Sequence, residues 1–317
     1  MAPVSDYESA FGLIDNPFCP NTFGAVGERA LDDISCDPLL LDSEPGLMEL
    51  FVPEAGPFGE RIERFEAMLK TRGYMPAAPP RRKKSMAFRV IGPEGSGKST
   101  LANLLVGRLR DCLGEDLLLV KESARDSLDT AIQRVRSQAG NHGFSCCCIV
   151  VDDARLDHQE RLRGLYDELR RAAPVVSFEV IHDAHDLERQ RRVTASGLAE
   201  DLETSWLRPD HAEGFVTSRI ELFRAPNTTA SLTGDLALFP FDADEIRSAV
   251  ATETVDGKSL TLRTLNWILG RGLERELSRL EGEEAIGSLA PEKLRERIVE
   301  VRRLYVEAVI GVPGGTR

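Results

Sequence analysis

The chain has few cysteines, and their spacing does not suit a metal site. Only six of the 317 residues are cysteine, and no two of them are spaced C-x-x-C. The run Cys146–Cys148 is consecutive, and neighbouring side chains of a strand point to opposite faces, so these three cannot share a tetrahedral site. The other cysteines are scattered: Cys19, Cys36 and Cys112. We therefore expect small buried hydrophobic residues in a reducing compartment, and no structural metal.

Long hydrophobic runs are also missing. No apolar segment approaches the roughly 20 residues that a membrane-spanning helix needs. The first residues carry neither the basic stretch nor the apolar run of a secretory signal. With 42% hydrophobic and 29% charged residues, the composition is typical of a globular protein in water. These features predict a cytoplasmic protein without a membrane span.

The chain has fewer basic than acidic residues. The sequence has 40 Lys and Arg against 52 Asp and Glu, a net charge of −12, which makes nucleic acid an unlikely partner. The acidic excess lies mainly in about the first 80 residues, which we expect to be the surface for a protein partner. The basic cluster Arg81–Lys84 follows two prolines. It is interpreted as a solvated linker edge, or alternatively as a contact for a polyanion or an acidic protein surface.

One motif stands out from this ordinary composition. Residues 92–99, G-P-E-G-S-G-K-S, fit the phosphate-binding loop G-x-x-x-x-G-K-[ST] without a mismatch. An apolar strand pattern precedes the motif at 87–91, and a helical pattern follows it at 99–109. Glycines let such a loop aim several N–H groups at one anion, and the following helix adds its positive end. The alternative is a glycine-rich turn that binds nothing. The complete motif predicts a nucleoside triphosphate site.

The residue types in the motif predict individual contacts. Lys98 would reach the β- and γ-phosphates, and the Ser99 hydroxyl would hold Mg²⁺. No guanine-reading N-K-x-D is present, which leaves ATP as the expected nucleotide. The predicted nucleotide-binding residues are Gly92, Pro93, Glu94, Gly95, Ser96, Gly97, Lys98, Ser99 and Thr100.

A second motif is an apolar strand that ends in acid, C-C-C-I-V-V-D-D at 146–153. A buried strand would deliver Asp152 to the sheet edge, where it would hold Mg²⁺ together with Ser99. Asp153 stands where many such ATPases have Glu, and it is one methylene shorter. Since a catalytic base must lie within reach of its water, we expect slow hydrolysis, with the nucleotide acting partly as a conformational latch. Alternatively, both acids cap a helix starting near Asp157.

The order of predicted elements indicates an α/β fold, a P-loop NTPase parallel sheet flanked by helices. Apolar runs predict strands at Ala87–Ile91, Asp116–Lys121, Cys146–Val151, Val175–Ile181 and Ser218–Phe223. Helical patterns between them begin near Lys98, Asp126, Asp157 and Asp183. The spacing of the two motifs fits NTPases in which another strand is inserted between the two motif strands.

Three domains are predicted along the chain. Residues 1–84 form an N-terminal extension and linker, residues 85–238 the P-loop ATPase core, and residues 239–317 a helical lid. The extension contains an amphipathic helix that begins near Phe58. In the lid, Ser259 or Thr261 caps one helix, and a last helix follows Pro291.

Taken together, the two motifs, a strand ending in polar residues at 179–183 and the trailing helices resemble the AAA+ ATPases, over about residues 85–285. The resemblance implies that His182 or Asp183 senses the γ-phosphate. It also implies that Arg263, in the stretch Leu262–Trp267, reaches the phosphates from the lid.

The family also supplies an arginine to the neighbouring subunit's nucleotide. The segments 207–209 and 219–226 are similar to that region, although the expected Gly-Arg-Phe between them is missing. Arg208 or Arg219 is the candidate, with a surface salt bridge as the alternative for either. The candidate catalytic residues are Lys98, Asp152, Asp153, His182, Arg263 and Arg219.

These features predict a slowly hydrolysing AAA+-like ATPase that drives assembly or remodelling of a protein partner, with a nucleotide-dependent homo-oligomer. Two weaker resemblances point elsewhere. Phe11–Phe18 looks like the start of bacterial secretion and transposition-helper ATPases, and Val151–Asp153 is similar to STAND regulatory switches. A small-molecule kinase with Arg189–Arg192 as its lid and a DNA-transaction helper are further alternatives. The long helical tail disfavours the kinase, and the net acidity disfavours the DNA helper.

Overall fold

The computed structural model describes most, but not all, of the chain. The described residues are 6–18, 58–75, 82–125, 127–140, 144–181, 199–205, 207–225, 236, 238–252, 254–255, 258–280, 293–294 and 296. Their contacts form two compact units. One, here called the sheet unit, contains the described residues from 58 to 205; the other, the helical unit, joins residues 6–18 to the described residues from 207 onwards.

The helices and strands are described in chain order. They are α1 (Tyr7–Phe11), α2 (Gly59–Thr71), β1 (Met86–Ile91), α3 (Lys98–Leu113), β2 (Leu117–Ser123), α4 (Leu128–Gly140), β3 (Cys146–Ala154), α5 (Gln159–Leu169), β4 (Val175–Ile181), β5 (Glu200–Glu203), α6 (Pro209–Leu222), α7 (Ala243–Thr252), β6 (Thr254–Val255), β7 (Lys258–Ser259) and α8 (Leu262–Arg279). Among the described parts of the chain, no helix is both long and apolar enough to cross a membrane.

The sheet unit is built on five parallel strands in the order β2-β3-β4-β1-β5. Strand β4 lies between β1 and β3, so a strand is inserted between the two motif strands, as the spacing predicted. The parallel sheet flanked by helices is therefore confirmed. Four of the five predicted strands are present with ends shifted by no more than a few residues.

The predicted strand Ser218–Phe223 is wrong. Most of that segment lies in helix α6, which has Pro209 in its first turn, a position where a missing N–H is tolerated. The fifth strand is β5, with the sequence E-D-L-E, and only Leu202 of its four residues is a buried hydrophobic residue. Four residues with one apolar side chain do not show the alternation by which strands are recognised.

Helices cover both faces of the sheet. On one face, Phe65 of α2 packs against Phe88 and Phe178, with ring centroids 5.3 and 5.7 Å apart. On the other face, α4 and α5 contribute Val135 and Leu162 to a cluster of buried side chains. The consecutive cysteines of β3 are fully buried, as expected for small hydrophobic residues, whereas Cys19 and Cys36 lie outside the described residues.

The helical unit includes the beginning of the chain. Asn16 donates through Nδ2 to the carbonyl of Gly270 in α8, 3.1 Å away. The predicted cap of α8 is confirmed, because the Thr261 hydroxyl accepts from Thr264 N. Residues 6–18 thus belong to the helical unit and α2 to the sheet unit, so the predicted extension 1–84 contributes to both. The boundary after the sheet falls near residue 205 rather than at 238.

Candidate functional site

The phosphate-loop motif connects β1 to α3. Gly95 and Gly97 have φ values of 72° and 86°, in the left-handed region that favours glycine, and Gly97 is the N-cap that directly precedes α3. The first residues of that helix, 98–100, are all buried. The local sequence therefore folds into the predicted strand, turn and helix start.

Lys98 is buried within this loop. Its side chain is 3% exposed, and its Nζ donates to the carbonyls of Gly92 and Pro93 at 3.0 and 2.8 Å. Both carbonyls belong to the same turn. The ammonium group is thus held inside the loop whose backbone is shaped for an anion.

The second motif brings its first acid to the same edge of the sheet. The Ser99 hydroxyl donates to the Asp152 carboxylate, 3.3 Å from Oδ1 and 3.2 Å from Oδ2. Asp152 Oδ1 also accepts from Asp153 N at 3.0 Å. A hydroxyl and a carboxylate are hard oxygen ligands of the kind Mg²⁺ prefers, so this pair fits the predicted metal.

Asp153 points to different partners. Its φ of 53° lies in the left-handed region, at a register shift of the ladder between β3 and β4. Its carboxylate accepts from Ser123 Oγ at 3.0 Å and from Arg125 Nε at 3.1 Å. Helix α5 begins after His158, well beyond both acids, so neither caps it as the alternative proposed. The strained backbone and the two donors hold Asp153 towards the end of β2.

Buried polar residues behind the loop were missed by the sequence reasoning. Asn103 of α3 donates through Nδ2 to the Ser99 carbonyl at 2.8 Å, and its Oδ1 accepts from Lys121 of β2. Thr204, just after β5, contacts the loop through its hydroxyl. No motif marks these positions: Thr204 lies 108 residues from its partner Ser96, and Asn103 bonds to Ser99 in its own helix and to Lys121 of β2.

Several predicted residues lie elsewhere. His182, Asp183 and the cluster Arg189–Arg192 fall outside the described residues. Arg263 is a half-buried residue of α8 in the helical unit, and its predicted contact with phosphate stays a prediction. Arg208 forms an ion pair with exposed Asp210, which is the salt-bridge alternative.

Arg219 requires a correction. It was expected at the surface, as an intersubunit arginine or in a salt bridge, but its side chain is 3% exposed. It donates to the Pro17 carbonyl and to Asn266 Oδ1, and it lies 4.4 Å from the ring centroid of Phe215. Burial lowers its pKa to about 9, so it remains charged at neutral pH. The guanidinium is thus enclosed within the helical unit and is not at the surface, where both expectations placed it.

A buried carboxyl lies in the middle of the sheet. Glu179 of β4 is paired in register with Arg89 of β1, whose Nε donates to Asp201 of β5 at 3.0 Å. Burial raises the pKa of Glu179 to about 7, while Arg89 and the Tyr166 hydroxyl act in the opposite direction. The carboxyl therefore titrates near neutral pH.

The chain was compared with known proteins. No protein-family model matches it, and no curated protein does either. Among solved structures it is similar to the Aeropyrum pernix ORC1 protein in complex with DNA, with 16% identity and a TM-score of 0.46, over 77% of this chain and 64% of that one. The chain thus spans less than two thirds of the ORC1 chain.

Two further structures show similarity of the same order. For the ADP form of the Aeropyrum pernix ORC2 protein, identity is 13% and the TM-score 0.49, over 79% of this chain and 68% of that one. For domain III of the Thermotoga maritima replication initiation protein DnaA, identity is 14% and the TM-score 0.43, over 76% of this chain and 91% of that one. Values this low do not transfer an activity, so only the geometry of the phosphate loop and of the acids that end β3 bears on function.

Proposed function

We propose that the protein is an ATP-binding, slowly hydrolysing AAA+-like ATPase that uses its nucleotide state to drive assembly or remodelling of a protein partner. The observation that carries the proposal is the Ser99 hydroxyl beside the Asp152 carboxylate, next to a glycine loop that encloses Lys98. Two motifs 53 residues apart meet at one sheet edge, and their residue types match what a triphosphate and its metal require.

In this proposal each group has one task. The backbone N–H groups of the loop and the Lys98 ammonium bind the β- and γ-phosphates. Ser99 and Asp152 hold Mg²⁺, which when bound neutralises part of the phosphate charge. Asp153 orients the attacking water and accepts its proton. ATP is proposed as the nucleotide because the sequence has no guanine-reading motif.

Slow hydrolysis is supported by the contacts of Asp153. Its side chain is one methylene shorter than that of glutamate, and its carboxylate accepts hydrogen bonds from Ser123 and Arg125. A base must be within hydrogen-bond reach of its water. Both donors bind Oδ2 of Asp153, which restricts how the carboxylate can turn towards that water and makes it a weaker base. The nucleotide would then persist long enough to serve as a latch. A turnover above about 10 s⁻¹, the median for enzymes, would contradict this part of the proposal.

The partner is proposed only as a protein, and the assembly only as a nucleotide-dependent homo-oligomer. A nucleotide-dependent homo-oligomer would show as an increase in mass by light scattering with a nonhydrolysable ATP analogue. A STAND-like switch shares this behaviour, but turnover would not be needed for its output. An unchanged monomer together with phosphate transfer to a small acceptor would instead support the kinase.

Nucleic acid was predicted to be an unlikely partner from the net charge of −12. One compared structure is a complex with DNA, but a similarity this weak tests neither outcome. The absence of a nucleic-acid partner and the cytoplasmic location therefore stay predictions. Binding of duplex DNA that weakens as the salt concentration rises would contradict the first of them.

The direct test is calorimetric titration of the purified chain with ATP in the presence of Mg²⁺. We expect one site per chain, with affinity lost when EDTA removes the metal. No heat of binding for ATP or GTP at millimolar concentrations would overturn the proposal. GTP bound at least as tightly as ATP would overturn only the choice of nucleotide.

A further inference from the structure

Thr204 directly follows β5 and lies against the phosphate loop. Its backbone N–H donates to the Ile91 carbonyl at 2.8 Å. Its Oγ1 lies 2.6 Å from Ser96 Oγ and 3.2 Å from the Ile91 carbonyl oxygen. Because the Ser96 hydroxyl gives its own hydrogen to the Pro93 carbonyl, the Thr204 hydroxyl is the donor in the shorter contact with Ser96. The threonine is 8% exposed, so these bonds form away from bulk water, where a hydroxyl without a partner is costly.

The loop backbone approaches Thr204 so closely that only glycine fits at its first position. A Cβ on Gly92 would lie 2.1 Å from Thr204 Oγ1 and 2.5 Å from the Thr204 carbonyl oxygen, shorter than real contacts. The φ of Gly92 is 151°, which side-chain-bearing residues rarely adopt. Gly92 is therefore needed for its packing against Thr204, in addition to any contact with phosphate.

The contacts of Thr204 continue to Lys98. The Ser96 hydroxyl donates to the Pro93 carbonyl at 2.6 Å. That carbonyl also accepts from Lys98 Nζ at 2.8 Å. Ser96 and Lys98 thus share the Pro93 carbonyl, and Thr204 contacts Ser96. A shift of the Ser96 hydroxyl therefore changes the surroundings of the ammonium.

Strand β5, which Thr204 directly follows, contacts helix α2. Arg61 Nε donates to the Glu203 carbonyl at 3.1 Å, and Arg64 forms an ion pair with Glu200. Helix α2 also packs on the sheet through Phe65. The end of β5 is therefore fixed on one side by α2 and on the other by the loop.

We propose that Thr204 is a positioning residue of the phosphate loop, which holds Ser96 and thereby the loop conformation that binds nucleotide. This inference rests on the proposed ATP site. It assigns to a residue more than a hundred positions after the motif the task of fixing the motif's geometry before the nucleotide arrives, which lowers the ordering cost of binding.

The test compares Thr204→Val, which removes the hydroxyl but keeps the shape, with Thr204→Ser, which keeps the hydroxyl. We expect calorimetry with ATP and Mg²⁺ to show affinity about five- to tenfold weaker for the valine variant, the usual effect of one lost hydrogen bond. The serine variant should bind within about twofold of the wild type. Thr217→Val is the matched control, because it removes a hydroxyl that donates to Glu213 O within α6, and its affinity should not change.

A double-mutant cycle with Ser96→Ala shows whether Thr204 acts through Ser96. We expect Thr204→Val to weaken binding little further in the Ser96→Ala background. If the valine variant does not fold, Thr204→Ala is measured in the same way. Wild-type affinity in the valine or alanine variant, or equal weakening by serine and valine, would overturn the inference while leaving the proposed site intact. Absence of ATP binding by the wild type would overturn both.

Discussion

Two regions of the molecule bury a cation among carbonyl groups, and they use it differently. In the phosphate loop, two carbonyls that accept from Lys98 Nζ are five and six residues away in the sequence. In the helical unit, two oxygens that accept from Arg219 Nη1 are 202 and 47 residues away. Local partners shape one turn, whereas distant partners join separate segments of the chain. A ligand can replace the former without dismantling the tertiary structure, but the latter are part of it.

The two environments also differ in what surrounds the cation. Lys98 lies in a loop with two left-handed glycines and beside the Ser99–Asp152 pair. Arg219 is enclosed by the rings of Phe18 and Phe215. Burial of a charged side chain therefore does not by itself indicate a functional site. Substitutions in either region test whether one buried cation serves ligand binding and the other serves stability.

The largest effect is expected for Lys98→Ala. Loss of an ammonium that makes charged hydrogen bonds to phosphate, each worth about 1.5–3 kcal/mol, should weaken ATP binding by about a thousandfold. Because the carbonyls of Gly92 and Pro93 that accept from Lys98 lie in its own loop, the melting temperature without nucleotide should fall less than in Arg219→Leu. Calorimetry and thermal unfolding measure the two quantities. Lys84→Ala, at an exposed residue preceding β1, is the control, and a large loss of stability in Lys98→Ala would erase the contrast with Arg219.

The reverse pattern is expected for Arg219→Leu. The substitution leaves the buried oxygens of Pro17 and Asn266 without their donor and removes the packing on Phe215. It should lower the free energy of unfolding by about 3 kcal/mol, as measured by urea denaturation. The folded protein should bind ATP as the wild type does. Arg208→Leu, at an exposed ion pair, should leave stability unchanged, and equal effects of both substitutions would argue against a structural role for Arg219.

A buried anion extends the comparison to the sheet. The pKa of Glu179 is about 7 in the folded protein against an ordinary value of 4.5. The folded state therefore binds more protons between these values, and stability should fall as the pH rises from about 4.5 through 7, then level off. The groups that face this carboxyl are Arg89 and Tyr166, and Arg89 is also paired with Asp201.

Glu179→Gln should remove that pH dependence. It should raise the free energy of unfolding at pH 8 by about 2 kcal/mol, because no charge is then desolvated. Urea denaturation at pH 5 and pH 8 measures the difference, with the exposed Glu63→Gln of α2 as control. A wild-type stability that rises between pH 5 and 8, with no change on substitution, would contradict the assignment.

The smallest effect concerns the second acid of β3. Its effect on ATP affinity is small: Asp153→Asn should leave that affinity within about threefold. It should nevertheless stop most hydrolysis, with a rate lower by about a hundredfold or more, since an amide cannot accept the proton of water. Phosphate release under steady-state conditions measures the rate. The reciprocal variant Arg125→Ala frees the Asp153 carboxylate from one donor and should raise the rate by about two- to fivefold. Hydrolysis at the wild-type rate in Asp153→Asn would remove Asp153 from the proposed mechanism.

The elements that were predicted correctly carry dense local signals. Strands β1, β3 and β4 are mostly apolar and almost wholly buried, as expected for central parallel strands. Strand β5 was missed because its sequence is mostly acidic, and α6 was partly misread as a strand because its apolar residues fall close together. The edge strand is specified by its backbone pairing with β1 and not by its composition.

In the candidate site, too, residues with a local sequence signal were predicted and residues defined by distant contacts were missed. Ser99 and Asp152 were predicted to share a metal, and the structure places their oxygens in contact. Thr204 and Asn103 were not predicted, since their neighbours in the sequence form no pattern. The bond of Thr204 to Ser96 and that of Asn103 to Lys121 exist only once the sheet has assembled. Arg219 was interpreted wrongly because the sequence does not show whether a helical arginine faces solvent or the interior.

The phosphate loop, the acid-ended strand and the parallel α/β sheet could be predicted from the residues alone, because short-range geometry and continuous apolar runs constrain the backbone locally. Contacts made on folding place residues 6–18 in the helical unit, hold Asp153 between Ser123 and Arg125, and pack Thr204 against Gly92. Those contacts join positions far apart in the chain, and their energies depend on burial and exact approach, which no local pattern of residues encodes.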